Sequence, residues 1–259
     1  MPGRLSGKVV IITGGGTGIG SGIARRCAEE GAAVMLAQRR VALAEQEADK
    51  LRIAGFRAAA TRCDISVRQD VIAMIEATVS AFGKLDVLIN NAALTGAAAE
   101  CRAFLEETDE HWKHILDINL TGAFYCIQEA ARQMIRQDAP GSILTISSVA
   151  QYAAQEHAAP YCASKAGLDG LTKTAAIELG AYGIRVNNIA PGDIDTEASA
   201  DVAGEAGKRG ATGNFFRYTP LNRRGRPTEI GNVAVFLASD EASFVTGATW
   251  LVDGGFLSY

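Results

Sequence analysis

The chain has 259 residues, 48% hydrophobic and 21% charged, which is typical of a globular protein that buries a large core without disulfides or metal. Its formal net charge of -4 argues against nucleic acid or an anionic membrane as a partner. The five cysteines are scattered and form no CxxC pair, and no apolar run reaches the roughly 20 residues of a membrane span. We therefore expect a cytoplasmic protein with reduced cysteines and no metal site.

Short apolar runs alternate with longer segments of helical periodicity along the chain. The runs predict strands at Lys8–Thr13, Ala33–Gln38, Arg57–Cys63, Leu85–Asn90, Ser142–Ser147, Ile184–Ala190 and Thr249–Val252. The periodic segments predict helices at Ser21–Glu30, Ala42–Ile53, Val67–Phe82, Asp109–Gln137, Ala163–Leu179 and Pro227–Ala238, the first ended by Gly31.

The predicted strands are apolar at nearly every position, which indicates burial on both faces of a sheet. Strands that alternate with helices predict a doubly wound (Rossmann) α/β fold with a seven-stranded parallel sheet. No repeat or linker divides the chain, so we expect one domain over residues 1–259. The least regular segment, Thr196–Tyr218, is rich in glycine and alanine and is interpreted as a flexible substrate loop.

A glycine-rich turn, Thr13–Gly20 (TGGGTGIG), follows the first strand and opens the first helix. Gly14, Gly18 and Gly20 give the spacing G-x-x-x-G-x-G, and such a turn lets the backbone approach a pyrophosphate at the positive end of the helix. The alternative is a tight strand-to-helix turn that binds nothing. The strand–turn–helix context favours a dinucleotide.

The end of the second strand bears on the choice of dinucleotide. An acidic residue about 20 positions beyond the turn binds the ribose 2′-OH of NAD. Here the sequence reads Gln38–Arg39–Arg40, without a carboxylate, and Arg39 is suited to a 2′-phosphate. We therefore favour NADP(H), with Thr17 or Gln38 as further contacts. The alternative is that both arginines are the solvated start of the next helix and that the cofactor is NAD(H).

Five motifs in order resemble the short-chain dehydrogenase/reductase family, in its single-domain branch of about 250 residues. They are TGGGTGIG, LINNAA at Leu88–Ala93, the Ser148 region, Tyr161-Cys-Ala-Ser-Lys165, and IAPGDIDTEAS from Ile189. The resemblance runs from Lys8 to Gly255. With the turn and strand residues above, it implies cofactor contacts at Gly14, Thr17, Gly18, Ile19, Gly20, Gln38, Arg39, Cys63, Asp64, Ile65, Asn91, Ala92, Ala93, Tyr161, Lys165, Pro191, Gly192, Ile194 and Thr196.

The resemblance also implies a catalytic set of Asn119, Ser148, Tyr161 and Lys165. A phenol is a poor base at neutral pH, but a lysine four residues later on the same helix has its ammonium one turn away, where it favours the phenolate. Ser148 would bind the substrate oxygen, and Lys165 the nicotinamide ribose. Asn119 would hold, through its side chain and a local helix distortion, a water that relays protons to Lys165.

The sequence departs from the family pattern at Ala93, where the family usually has glycine; the added methyl group is costly if this position requires a positive φ or a close approach of the cofactor. We expect an oxidoreductase that interconverts a carbonyl and an alcohol (CH–OH) with NADP(H). The alternatives are the same chemistry with NAD(H), or a catalytically silent dinucleotide-binding sensor. The resemblance further implies a homotetramer, with apolar helices near Phe124–Ala131 and Leu168–Leu179 at its interfaces, and a small-molecule substrate whose identity stays open.

Overall fold

The computed structural model of the protein describes residues 3–197 and 219–258. Seven parallel strands form one sheet in the order β3-β2-β1-β4-β5-β6-β7. The strands are β1 Val9–Thr13, β2 Ala33–Gln38, β3 Ala58–Arg62, β4 Val87–Asn90, β5 Gly141–Ile146, β6 Ile184–Pro191 and β7 Thr249–Val252. The predicted substrate loop lies outside the described residues, apart from its first two positions.

Helices follow the strands and cover both faces of the sheet. They are α1 Gly18–Glu29, α2 Val41–Ile53, α3 Arg68–Phe82, α4 Asp109–Leu116, α5 Ala123–Arg136, α6 Ala159–Leu179 and α7 Pro227–Ala238. Gly31, at φ +90°, follows the end of α1 in a conformation that favours glycine, as its place in the sequence predicts. The doubly wound seven-stranded fold is confirmed.

Adjacent residues of the central strands enter two different hydrophobic clusters. On β1, Val10 and Ile12 pack in the cluster that includes residues of α1 and α7, whereas Ile11 packs in the cluster that includes residues of α3 and α5. All three are fully buried. Because side chains alternate between the faces of a strand, this arrangement requires an apolar residue at every position, which is the pattern of the sequence.

The two edge strands are the exception to burial on both faces. β3 is only partly buried, and on β7 Trp250 and Leu251 are 36% and 49% exposed. An edge strand has a neighbouring strand on one side only, so an apolar sequence there does not guarantee that its side chains are covered by helices. The expectation of burial on both faces is therefore wrong for β3 and β7.

Two helix boundaries differ from the predicted ones in ways that shape the site. The segment Asp109–Gln137 is interrupted by a π-helical stretch at Asp117–Gly122, between α4 and α5. Helix α6 begins at Ala159, four residues earlier than predicted, with Pro160 in its first turn, where a missing N–H costs nothing. Tyr161 is consequently part of the helix that carries Lys165.

The order of the strands places a crevice between β1 and β4. From β1 the chain adds β2 and β3 on one side, and then crosses to β4 on the other. At such a switch point the connections leave the sheet in opposite directions, and a ligand binds beyond the carboxyl ends of the strands. The glycine-rich turn after β1 and the segment after β4 flank this crevice.

Candidate active site

The glycine-rich turn has the backbone that a close-lying phosphate requires. Gly14 and Gly18 adopt φ values of +65° and +53°, and a Cβ on Gly20 would lie 2.1 Å from the Gly14 carbonyl oxygen. Thr17 precedes α1 in an extended conformation and its side chain accepts no hydrogen bond from the first turn, all of whose residues are described. The N–H groups of that turn therefore face the crevice without a side-chain cap, and the site fits the pyrophosphate of a dinucleotide.

The segment after β4 is fastened to the end of β1. Asn91 Nδ2 donates to the carbonyl oxygens of Thr13 and Gly14 at 3.0 and 3.2 Å. The backbone N–H groups of Asn91 and Ala92 donate to the Thr13 hydroxyl at 3.0 and 3.1 Å. Thr13, which sequence reasoning did not single out, thus joins the two strands at the switch point; the signal was a hydroxyl residue that ends an otherwise apolar strand.

Ala93 does not strain the backbone. The described non-glycine residues with positive φ are Glu100, Asp138, His157 and Asn222, and Ala93 is not among them. Alanine at this position therefore does not have to adopt a left-handed backbone conformation.

At the adenosine end of the crevice, Gln38 and Arg39 have different surroundings. Gln38 Oε1 accepts a hydrogen bond from the Gly16 N–H at 2.8 Å and so braces the glycine-rich turn. Arg39 is exposed at the end of β2, and no hydrogen bond or ion pair to another described residue engages its guanidinium. An exposed cation at this edge can meet an anionic group.

Asp64 lies near this cation. Burial raises the pKa of the Asp64 carboxyl, but hydrogen bonds from Ser66 and the charges of Arg39 and Arg62 outweigh burial and hold the pKa below its ordinary value. Asp64 is therefore an ionised acceptor at neutral pH. Ile65 is buried beside it, and the Cys63 side chain packs in the core, where burial raises the thiol pKa to about 12. The Cys63 thiol is therefore part of the core.

The segment after β6 closes the opposite side of the crevice. Gly192 N–H donates to the Val252 carbonyl at 3.0 Å, and Ile194 is buried. A Cβ placed on Gly18 would meet the Thr196 methyl group at 3.5 Å. The predicted pyrophosphate turn and the predicted Pro191–Thr196 segment therefore face each other.

The predicted catalytic side chains converge at the carboxyl end of β5. Ser148 follows this strand, is 7% exposed, and its Oγ accepts from the Ala150 N–H at 3.1 Å. The hydroxyl of Tyr161 interacts with the side-chain hydroxyls of Ser148 and Thr95. The buried Lys165 donates from Nζ to the Ile146 carbonyl at 2.9 Å and lies 5.7 Å from the centre of the Tyr161 ring.

The protonation of this group is dominated by burial. Burial raises the pKa of Tyr161 above its ordinary value, despite the opposing hydrogen bonds with Ser148 and Thr95. Burial also lowers the pKa of Lys165, to about 8. Burial thus sets the direction for both groups, and Lys165 Nζ is directed to the Ile146 carbonyl, so the expected effect of its ammonium on Tyr161 stays a prediction.

Asn119 lies in the π-helical stretch, so the expected helix distortion is present. Its side chain, however, is engaged by protein groups. Oδ1 accepts from the Leu94 N–H at 2.8 Å, and Nδ2 donates to the Leu94 carbonyl at 3.1 Å and to Ser164 Oγ at 3.4 Å. The side chain therefore clamps the segment after β4, and its role in holding a water stays a prediction.

Two loops beside the catalytic hydroxyls are connected to each other. The N–H of Arg102, in the loop after β4, donates to the carbonyl of His157, in the loop after β5, at 2.9 Å. His111 holds the first loop through Nε2, which lies 2.9 Å from the Ala99 carbonyl oxygen, and Nδ1, which lies 2.7 Å from Glu107 Oε1. The loops thus form one wall next to Tyr161.

This arrangement of fold and site is that of a known class of enzymes. A family model for enoyl-(acyl carrier protein) reductases matches residues 14–257. The chain is 40% identical to a short-chain dehydrogenase/reductase (astE) of Aspergillus oryzae. The 252 matched residues are 97% of this chain and 95% of the relative. It is 38% identical to 3beta-hydroxysteroid dehydrogenase 1 of Eggerthella lenta, over 98% of this chain and 95% of that one.

A solved structure gives the same result. The short-chain type dehydrogenase/reductase from Mycobacterium marinum superposes with a TM-score of 0.89 at 35% identity, covering 97% of this chain and 96% of the other. The chain belongs to the short-chain dehydrogenase/reductase family. It is an oxidoreductase that acts on CH–OH groups with NAD(P) as the acceptor. No described helix is long and apolar enough to cross a membrane.

Proposed function

We propose that the protein is an NADP(H)-dependent oxidoreductase that interconverts a ketone or aldehyde and the corresponding alcohol, with Tyr161 as the general acid and base. The observation that carries this proposal is the cluster of the Tyr161, Ser148 and Lys165 side chains at the edge of the sheet that also bears the glycine-rich turn. A proton donor and a dinucleotide site at one edge are the two requirements for carbonyl reduction.

Each side chain has a task that its surroundings support. The bound nicotinamide supplies or accepts the hydride. Ser148 holds the substrate oxygen, and the Tyr161 hydroxyl donates its proton to that oxygen during reduction. A raised pKa keeps Tyr161 protonated at neutral pH, which favours the acid role; alcohol oxidation needs the phenolate and is therefore favoured as the pH rises. With a pKa of about 8, Lys165 exchanges protons near neutral pH and resupplies Tyr161.

The proposed preference for NADP(H) depends on Arg39, an exposed cation with no described intramolecular hydrogen bond at the predicted 2′-phosphate position. Replacing Arg39 by aspartate removes a charge-assisted hydrogen bond and introduces repulsion. We expect kcat/KM for NADPH to fall by about 10- to 100-fold, and the value for NADH to change little or rise. Initial rates with each reduced cofactor at equal concentration measure this.

The control for this substitution is Arg136→Asp, which makes the same charge change on an exposed residue at the end of α5. It should leave the ratio of the two cofactors unchanged. A wild-type enzyme that prefers NADH would show that NAD(H), the alternative cofactor, is the natural one, and that Arg39 is a solvated helix-start residue.

We also propose a cytoplasmic homotetramer of single-domain subunits, in which residues 196–218 complete the substrate pocket. All five cysteines are unpaired, as a reducing compartment favours. Phe124 on α5 and Ile177 on α6 lie within the predicted interface helices and are 38% and 82% exposed in the single chain. Exposed apolar side chains of this kind mark protein interfaces.

The oligomer is tested at Ile177. A glutamate there places a charge in the proposed interface, so the Ile177→Glu variant should sediment as a smaller assembly than the wild-type tetramer. Ile53→Glu, at the end of α2 and outside the predicted interfaces, is the matched control and should remain tetrameric. A monomeric wild-type protein in sedimentation velocity contradicts the proposal.

A further inference from the structure

Arg224 lies in the segment before α7, outside the catalytic and cofactor sets, and its side chain binds the segment that follows β6. Its Nε lies 3.1 Å from each carboxylate oxygen of Asp193, and its Nη2 donates to Asp193 Oδ1 at 2.9 Å. Nη2 also donates to the Ile194 carbonyl oxygen, and Nη1 donates to Asp195 Oδ1, each at 2.9 Å. One guanidinium therefore engages three consecutive residues.

The backbones of the same two segments are paired as well. The Asp195 N–H donates to the Gly225 carbonyl at 2.8 Å, and the Gly225 N–H donates to the Asp193 carbonyl at 2.9 Å. Ile194 is buried, and a Cβ placed on Gly225 would lie 2.5 Å from Ile194 Cδ1, so only glycine permits this close approach. The segment after β6 is thus held by a side chain, by a backbone bridge and by packing.

The pairing bears on the cofactor because the segment after β6 is one wall of the crevice. Thr196, which directly follows the paired residues, faces the glycine-rich turn across 3.5 Å from a Cβ placed on Gly18. Without Arg224, the exposed carboxylates of Asp193 and Asp195 would stand unneutralised in a wall that faces an anionic pyrophosphate. Isolated surface ion pairs contribute little, but a bidentate arginine that also joins a second carboxylate and a carbonyl has the geometry of an effective one.

We propose that Arg224 is a positioning residue for the dinucleotide. It holds the segment from Asp193 to Asp195 in place as a wall of the crevice and offsets the charge of the two carboxylates, so that the dinucleotide is bound more tightly. This inference rests on the proposed placement of the dinucleotide between the glycine-rich turn and the segment after β6. Arg224 acts through that segment and takes no part in the transfer of hydride or proton.

Replacing Arg224 by glutamine removes the charge and the fork of donors. We expect the Kd for NADPH in a fluorescence titration to rise about tenfold, because charge-assisted hydrogen bonds contribute factors of this size. In steady-state assays the loss should fall on KM for NADPH rather than on kcat. In the protein without cofactor, the N–H groups of Asp195 and Gly225 should exchange with deuterium faster than in the wild type, because the bridge between the segments is no longer braced.

The matched control is Arg4→Gln. Arg4 makes a comparable bidentate pair with Glu241, but it precedes β1 and so lies at the opposite end of that strand from the glycine-rich turn. This variant should leave the Kd unchanged. The double variant Arg224→Gln/Asp193→Asn should bind NADPH at least as tightly as Arg224→Gln alone, because it removes a carboxylate that has lost its partner. A further loss in the double variant would overturn the pairing of Arg224 with Asp193.

An unchanged Kd in Arg224→Gln would overturn the inference, provided that Gly20→Ala, which crowds the glycine-rich turn, no longer binds NADPH. A raised Kd without faster exchange at Asp195 would overturn it as well, since the effect would then not pass through the segment. Should Gly20→Ala bind NADPH like the wild type, the crevice is not the dinucleotide site and the proposed function fails at that point. The two failures are thereby distinguished.

Discussion

Replacing Tyr161 by phenylalanine is expected to lower kcat by about 1000-fold in either direction, because general acid–base catalysis typically contributes factors of this size. Phenylalanine keeps the ring, which lies 5.7 Å from Lys165 Nζ, and removes only the hydroxyl that contacts Ser148 and Thr95. Dinucleotide affinity should therefore stay close to that of the wild type. Steady-state rates and a fluorescence titration with NADPH measure the two quantities on the same preparation.

The matched control is Tyr182→Phe, which removes a hydroxyl from a 55% exposed tyrosine after α6. It should leave both rate and affinity unchanged. Full activity in Tyr161→Phe would refute the acid/base assignment. If instead the wild-type protein binds the dinucleotide but turns over no carbonyl or alcohol, the result supports the alternative of a catalytically silent dinucleotide-binding sensor.

Replacing Gly20 by alanine is expected to abolish dinucleotide binding at concentrations that saturate the wild type. The new Cβ would lie 2.1 Å from the Gly14 carbonyl oxygen and 2.7 Å from Asn91 Nδ2, distances at which something must move. The displaced groups are the ones that join the glycine-rich turn to the segment after β4. Overpacking of this kind also costs about 1–3 kcal/mol of stability. Cofactor titration and thermal unfolding measure the two effects.

Gly180→Ala provides the contrasting substitution. Gly180 follows α6 with a helical backbone conformation, outside the predicted interface helices; it is exposed, and a Cβ added there would have no heavy atom of a neighbouring group within 4 Å. Alanine there should stabilise the protein by about 0.5–1 kcal/mol, because it restricts the unfolded chain and favours helix. Its cofactor affinity should not change. A Gly20→Ala protein that binds NADPH like the wild type would show that the turn does not cradle the pyrophosphate.

The fold was predictable because the sequence patterns that indicate its strands and helices are local. A strand buried on both faces has to be apolar at consecutive positions, and the bounds of β2, β7 and α7 follow from the sequence alone. The grouping of Tyr161 with Lys165 is likewise local, since four residues make one helical turn. Ser148 required the family resemblance, because its distance from Tyr161 along the chain carries no geometric rule.

What could not be predicted depends on packing between distant segments. The clamp of Asn119 on Leu94 joins residues that lie 25 positions apart along the chain. The raised pKa of Tyr161 follows from burial, which the spacing of a tyrosine and a lysine does not reveal. The exposure of Trp250 also depends on tertiary position, namely on the place of β7 at the sheet edge.

The hydrogen bond between Arg102 and His157 has a practical consequence for changing which molecules the enzyme accepts. It makes the loops after β4 and β5 mechanically dependent on each other, while Tyr161 and Lys165 are held by α6 and Ser148 follows β5. Libraries that randomise only one of these loops would disturb the other through this bond. Co-varying the two stretches, with the backbone pairing between them preserved, is the route by which selectivity would be redirected at little cost to turnover.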